Sequence, residues 1–106
     1  MAEPRVRVPR QVRKGEIVEI KTLMSHPMET GFRRDVQGQL IPRRIIHTFT
    51  CRYNGEEVFR ADWHPAVAAN PYLVFYTVAT ESGRLHFEWI DDDGTVYTTE
   101  ADMTVE

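Results

Sequence analysis

The residues best suited to chemistry are four histidines, one cysteine and a run of three aspartates. His26, Met28, His47, Cys51, His64 and His86 together contain each ligand type of a blue-copper centre: imidazole, thiolate and thioether. Their spacing argues against one. Such proteins gather Cys, His and Met around one hairpin near the carboxyl end, whereas Cys51 is mid-chain and the next histidine, His64, lies thirteen residues on. No C-x2-C, H-x-H or H-E-x-x-H spacing occurs, so zinc has no motif either. His47 and Cys51 fall on one face of a strand-like run, and a small redox or metal protein using His26, His47 and Cys51 stands as the alternative reading.

A nucleophilic cysteine needs a neighbouring base and an accessible, electropositive setting. Cys51 lies between Phe49 and Tyr53 on a predicted core face, where a free thiol behaves as a small hydrophobe. Asp91-Asp92-Asp93 ahead of Gly94 reads as a solvated hairpin turn rather than as calcium ligands or an acid–base pair. Nucleophile-elbow, P-loop and dinucleotide motifs are absent. The residues by themselves therefore describe a small binding or interaction module, with no catalytic residue, cofactor or metal expected.

The elements that would position these residues are strands. Period-two alternation recurs along the chain and helical periodicity does not. PRVRV at residues 4 to 8 fits an edge strand, and in EIVEIKTLM Val18, Ile20 and Thr22 share one face. IIHTFTCRY puts Ile45, His47, Phe49, Cys51 and Tyr53 on one face, and Asn54-Gly55 follows as a type I′ hairpin signal into EEVFRAD. WHPAVAANP breaks the alternation and is expected to make one helical turn. YLVFYTVA, apolar on both faces, is expected to be central in its sheet, and RLHFEWID points Leu85, Phe87 and Trp89 inward. About seven strands in 106 residues predict one domain, residues 1–106, with an all-β, immunoglobulin-like or fibronectin-like β-sandwich fold. The connection over residues 24 to 44 exceeds hairpin length, and loops of ~20 residues in a compact domain usually carry function.

Residues 1–60 carry twelve Lys/Arg against seven Asp/Glu and residues 61–106 one against nine, so the halves are +5 and −8. That asymmetry suits charged protein partners. The scattered arginines and acidic total argue against nucleic acid, and no apolar run approaches the ~20 residues of a membrane span. The opening MAEPRVRVPRQVRKGE lacks the apolar core of a secretory signal. Taken alone, it sets an expectation of the cytoplasm or of export by an indirect route.

SHPMETGFRRDVQGQLIPRRII, YNGEEVF, AANPYLVFY and SGRLHFEWIDDDG occur in this order and spacing. In that combination nearly the whole chain resembles the SoxZ family, one subunit of the sulfur-carrier heterodimer SoxYZ of bacterial thiosulfate oxidation. The resemblance implies an immunoglobulin-like sandwich that scaffolds a partner, SoxY, whose glycine-rich carboxyl-terminal arm carries the sulfur substrate on a cysteine. ADMTVE has no such arm, and Cys51 does not match the carrier position. It further implies transient contacts with Sox cytochrome, hydrolase and dehydrogenase components. A periplasmic location is implied as well, reached as a passenger of the signal-bearing partner. Phe59, Trp63, Tyr72, Phe75 and Tyr76 are expected to include the heterodimer contacts, because aromatics are enriched at interface centres; the alternative is that most are core, and Phe75 reads more readily as core. Met28, Phe32, Arg33 and Arg34 form a predicted docking loop, shaped by His26-Pro27 and guided by its arginines. A homodimer is expected when the chain is isolated.

Overall fold

A computed structural model describes residues 4–64, 67 and 69–106, which form eight strands and no helix. The strands are β1 Pro4–Arg7, β2 Gln11–Val12, β3 Ile17–Met24, β4 Ile46–Tyr53, β5 Glu56–Asp62, β6 Tyr72–Val78, β7 Gly83–Asp91 and β8 Val96–Val105. They build a three-stranded sheet in the order β1-β3-β6 and a five-stranded sheet in the order β2-β8-β7-β4-β5. The two sheets are the layers of an all-β sandwich.

The alternation in the sequence decides which side chains lie between the layers. β3 buries Val18, Ile20, Thr22 and Met24 and turns Ile17, Glu19 and Leu23 outward. β7 buries Leu85, Phe87 and Trp89. β4 lies between β5 and β7 in its sheet, and Thr48 and Thr50 are buried along with Phe49, Cys51 and Tyr53. At the end of β4, Asn54 and Gly55 have φ of 50° and 86°, the paired positive values that a type I′ hairpin requires.

Phe49 is the hub of the core. Its ring lies 5.0 Å from Trp89, 5.8 Å from Phe75, 6.1 Å from Phe59, 6.2 Å from Trp63 and 6.4 Å from Phe87. Phe59 and Phe75 stack on each other at 4.4 Å. The aromatics of β4, β5, β6 and β7 thus form one cluster that joins the two sheets.

Two sequence expectations change. The eighth strand, β2, is only two residues long and pairs parallel to β8 after the chain crosses from the small sheet to the large one. So short a segment carries no periodicity to read. The apolar segment Tyr72–Val78 is an edge strand, not a central one, because among the described residues β6 pairs only with β3. Its second apolar face is solvent-facing: Tyr72 and Tyr76 are each 60% exposed. The helical turn expected in WHPAVAANP falls on Pro65, Ala66 and Ala68, outside the described residues.

Because Phe49 touches aromatics from four other segments, Phe49→Ala is expected to cost about 4 kcal/mol of unfolding free energy. Denaturant melts of the two proteins measure this, and a loss below about 1 kcal/mol would contradict the hub role.

Candidate functional site

The long connection between β3 and β4 leaves the sandwich at a fixed point. Asp91, at the end of β7, is fully buried, and a carboxylate there requires donors on its oxygens. His26 Nε2 lies 2.7 Å from Asp91 Oδ2, and the Met28 amide donates to His26 Nδ1 at 2.9 Å. Since Nδ1 accepts, this geometry assigns the ring proton to Nε2, which donates to Asp91. Arg44 Nε donates to the same carboxylate at 3.2 Å, and the Asp93 amide donates to Asp91 Oδ1 at 3.3 Å. Asp92 and Asp93 make the solvated turn that the sequence predicts, the Gly94 amide donating to the Asp91 carbonyl at 3.0 Å, whereas Asp91 is buried and the run as a whole is also a socket for the loop.

The other two aspartates complete the socket. Asp92 accepts from Arg43 at 2.8 and 3.1 Å and from the Ile45 amide at 3.1 Å. Arg44 also reaches Asp93 at 2.9 Å. The Arg43 guanidinium holds the Asp92 carboxyl below its ordinary value of 3.8, against the opposing effect of burial. The signal was present in the sequence as Arg43-Arg44 and Asp91-Asp92-Asp93. It becomes readable only once β4 and β7 are known to pair, with Ile46 opposite Asp91.

His26 and Met28 both lie inside this anchor. Met28 is 3% exposed, has a φ of 51°, and its sulfur accepts the Ile46 amide at 3.3 Å. A left-handed methionine costs roughly 1–2 kcal/mol, so the surrounding bonds must hold it there. This corrects the expectation that Met28 offers an apolar contact to a partner.

Beyond the anchor the loop is a small two-stranded finger. Glu29 and Arg44 exchange backbone hydrogen bonds at 2.9 and 2.8 Å, and Arg34 bridges to Leu40. Gly31 has a φ of 87°, and a Cβ there would sit 2.9 Å from Arg43 Cβ, so the two arms close over a glycine. Asp35 Oδ1 caps the tip by accepting from the Gln37 and Gln39 amides. The finger carries Phe32, Val36 and Leu40 into solvent at 80%, 104% and 56% exposure. Arg33 is paired with Glu29 at 2.6 Å, and Arg34 donates to the Gly38 carbonyl at 2.7 Å. Of the predicted docking residues, Phe32, Arg33 and Arg34 are thus on the finger and exposed. Val36 and Leu40, which sequence reasoning passed over, join them.

The predicted heterodimer contacts separate into two groups. Phe75 is 4% exposed, and Phe59 and Trp63 are half-buried against the Phe49 cluster. Phe75 is therefore a core residue that offers no surface. Tyr72 and Tyr76 face outward on the small sheet beside Ile17, Leu23 and Val78, and the Tyr76 hydroxyl donates to Glu19 at 3.0 Å.

The ligands of the alternative metal reading lie in separate environments. Both ring nitrogens of His26 are engaged, and His47 Nδ1 is 2.7 Å from Thr48 Oγ1. Burial pushes the Cys51 thiol up to about 12, which leaves it protonated and unreactive at neutral pH. Among the described residues no three His, Cys, Asp or Glu side chains converge as metal ligands.

Comparison with known proteins adds a family and a fold. The family model described as "Sulphur oxidation protein SoxZ" matches residues 6–102. A comparison with curated proteins gives no match. Among solved structures, the superoxide reductase (neelaredoxin) of Ignicoccus hospitalis superposes with a TM-score of 0.77 at 16% identity, covering 97% of this chain and 80% of that one. The sulfur carrier protein SoxY of Chlorobium limicola f thiosulfatophilum gives 0.67 at 13% identity, covering 97% and 78%. A putative superoxide reductase from Thermotoga maritima gives 0.74 at 18%, covering 97% and 85%. At these identities the likeness is one of fold.

His26→Ala would leave the Asp91 carboxylate short of a donor and the Met28 amide unpaired. The expected cost is about 3 kcal/mol, read from denaturant melts; a change below about 0.5 kcal/mol would contradict the anchor. Asp92 titrates below its unfolded value, so its contribution is present at neutral pH and is lost as pH falls through the lowered value. Arg43→Ala should accordingly destabilise at neutral pH and lose its effect as pH falls through the lowered value, once Asp92 is protonated in both states. An undiminished difference in acid would show that Arg43 acts by packing instead.

Proposed function

The chain belongs to the SoxZ family of sulfur-oxidation proteins, and from that premise we propose that it is the non-catalytic subunit of a heterodimeric sulfur carrier. The observation that carries this reading is the state of Cys51. The one cysteine of the sequence is buried in the core with its thiol pushed up to about 12, so neither its accessibility nor its protonation suits it to carry sulfur. The covalent load then belongs on a partner chain, a SoxY-type subunit with a cysteine at the end of a glycine-rich arm.

A tethered thiol gains from such an arrangement because the linker holds it at high local concentration while letting it reach several active sites. The base of the arm must be stable and soluble. Here an aromatic core joins two sheets, and an ion-paired socket fixes the finger, so the chain supplies a rigid base with a preshaped projection. The finger is our candidate for transient contact with the cytochrome, hydrolase and dehydrogenase components. Phe32, Val36 and Leu40 supply apolar area there, and Arg33 and Arg34 supply steering toward acidic surfaces. The working location is the periplasm, with the chain exported as a passenger of its signal-bearing partner.

Copurification from the native source tests the reading: a small partner ending in a Gly-rich cysteine arm should come down in one-to-one ratio. Recovery of the chain without such a partner would count against it. Arg33→Glu with Arg34→Glu should leave that heterodimer intact and slow its association with the component enzymes by about tenfold at low salt, less at high salt. Unchanged rates at low salt would remove the finger from the docking surface. For location, coexpression and fractionation should find the chain in the periplasm only when the partner bears its signal; equal export without that signal would exclude the passenger route.

A further inference from the structure

The sheet edges of the sandwich are not treated alike. β1 carries Pro4, Arg5 and Arg7, β5 carries Glu56, Glu57, Arg60 and Asp62, and β2 is two residues long. Charge, proline and shortness are the devices by which proteins keep edge strands from pairing with another chain. β6, Tyr-Leu-Val-Phe-Tyr-Thr-Val, has none of them, although it is an edge strand of seven residues. Its ladder to β3 also fixes which backbone groups are unused. The Ala79 amide donates to Glu16 and the Pro71 carbonyl accepts from Met24, so alternation turns Leu73, Phe75 and Thr77 toward β3. The amides and carbonyls of Tyr72, Val74, Tyr76 and Val78 therefore point to the open edge.

The outward face of the small sheet is apolar along β6 and becomes positive toward β1, the opposite edge. The register sets Arg5, Leu23 and Tyr72 in one row and Arg7, Lys21 and Val74 in the next, with Ile17 beside Val78. Among the described residues of these strands, Arg5, Arg7 and Lys21 stand against the single outward acid Glu19. A second copy would bring the same cations to this face, whereas an acidic partner complements it. The carrier-type subunit fits the edge, because the SoxY structure shares this sandwich and so has edge strands of its own to offer.

We infer that the free edge of β6 accepts an uncharged strand of the carrier subunit, extending the small sheet across the heterodimer, while acidic residues elsewhere in that subunit lie over the outward face and meet Arg5 and Arg7 on β1. The inference rests on the carrier reading and specifies its interface. Main-chain bonds supply affinity in such strand addition, and side chains at alternate positions supply specificity. Tyr72, Val74, Tyr76 and Val78 are those alternate positions, which makes the tyrosines outward anchors flanking the seam.

Amide-resolved hydrogen exchange on the wild-type chain, alone and bound to the SoxY-type subunit of the same source, tests this directly. The amides of Tyr72, Val74, Tyr76 and Val78 should slow by about tenfold or more on binding, while those of Leu73, Phe75 and Thr77, already bonded to β3, change little. A complex without that alternating protection overturns the strand addition and leaves the carrier reading standing. Absence of any complex overturns both. A homodimer that protects the same four amides and resists displacement by the carrier subunit also overturns the inference. Val74→Pro removes an edge donor without touching the β3 ladder. In a variant whose circular dichroism matches wild type, affinity should fall about tenfold or more, and unaltered affinity would count against the seam.

Discussion

A carboxylate at the end of β7 organises the long loop of this molecule. Asp91 is fully buried, and inside a protein an unpaired charge is far more costly than any single contact the chain could gain by placing it there. Its oxygens are met by His26, Arg44 and the Asp93 amide, and each donor comes with a consequence. Satisfying it with His26 draws the start of the long loop inward, which in turn seats Met28 in a left-handed conformation under Ile46. Satisfying it with Arg44 brings the end of the loop to the same place. The finger is held at both ends by one buried charge.

The rest of the structure divides its surfaces around that constraint. The five-stranded sheet contributes the aromatic hub and ends in a charged edge. The small sheet contributes an apolar outer face and an edge without protection. The finger projects from the β7–β8 end with its own exposed apolar residues. Two exposed apolar regions on so small a protein are more than a solitary chain needs, and surfaces of this kind mark interaction sites. A stable base with two contact regions is what a carrier subunit requires if one region binds its partner and the other meets visiting enzymes.

Much of the sandwich was legible in the sequence because alternation is a local property. Val18, Ile20 and Thr22, and likewise Leu85, Phe87 and Trp89, reveal their inward faces without knowledge of any neighbour. Asn54-Gly55 announces its turn by the backbone it needs. The position of β6 was not legible, since a strand apolar on both faces looks the same whether another strand or another protein covers it. The role of His26 was hidden for a similar reason: its partner is sixty-five residues away, and only the pairing of β4 with β7 brings the two arginines to the three aspartates. Asp91 looked like turn chemistry because Asp92, Asp93 and Gly94 do make a turn there. Residue type suits Met28 to a surface contact and leaves Phe75 open to either role, because burial is a property of the assembled sheets.

On the proposed reading, sulfur travels on another chain while this one serves as its base. Intact and peptide mass measurement of the native heterodimer after exposure to thiosulfate and the component enzymes tests it most directly. The account predicts sulfur adducts on the terminal cysteine of the partner's arm and an unmodified mass for this chain. A sulfur adduct on Cys51 would contradict it.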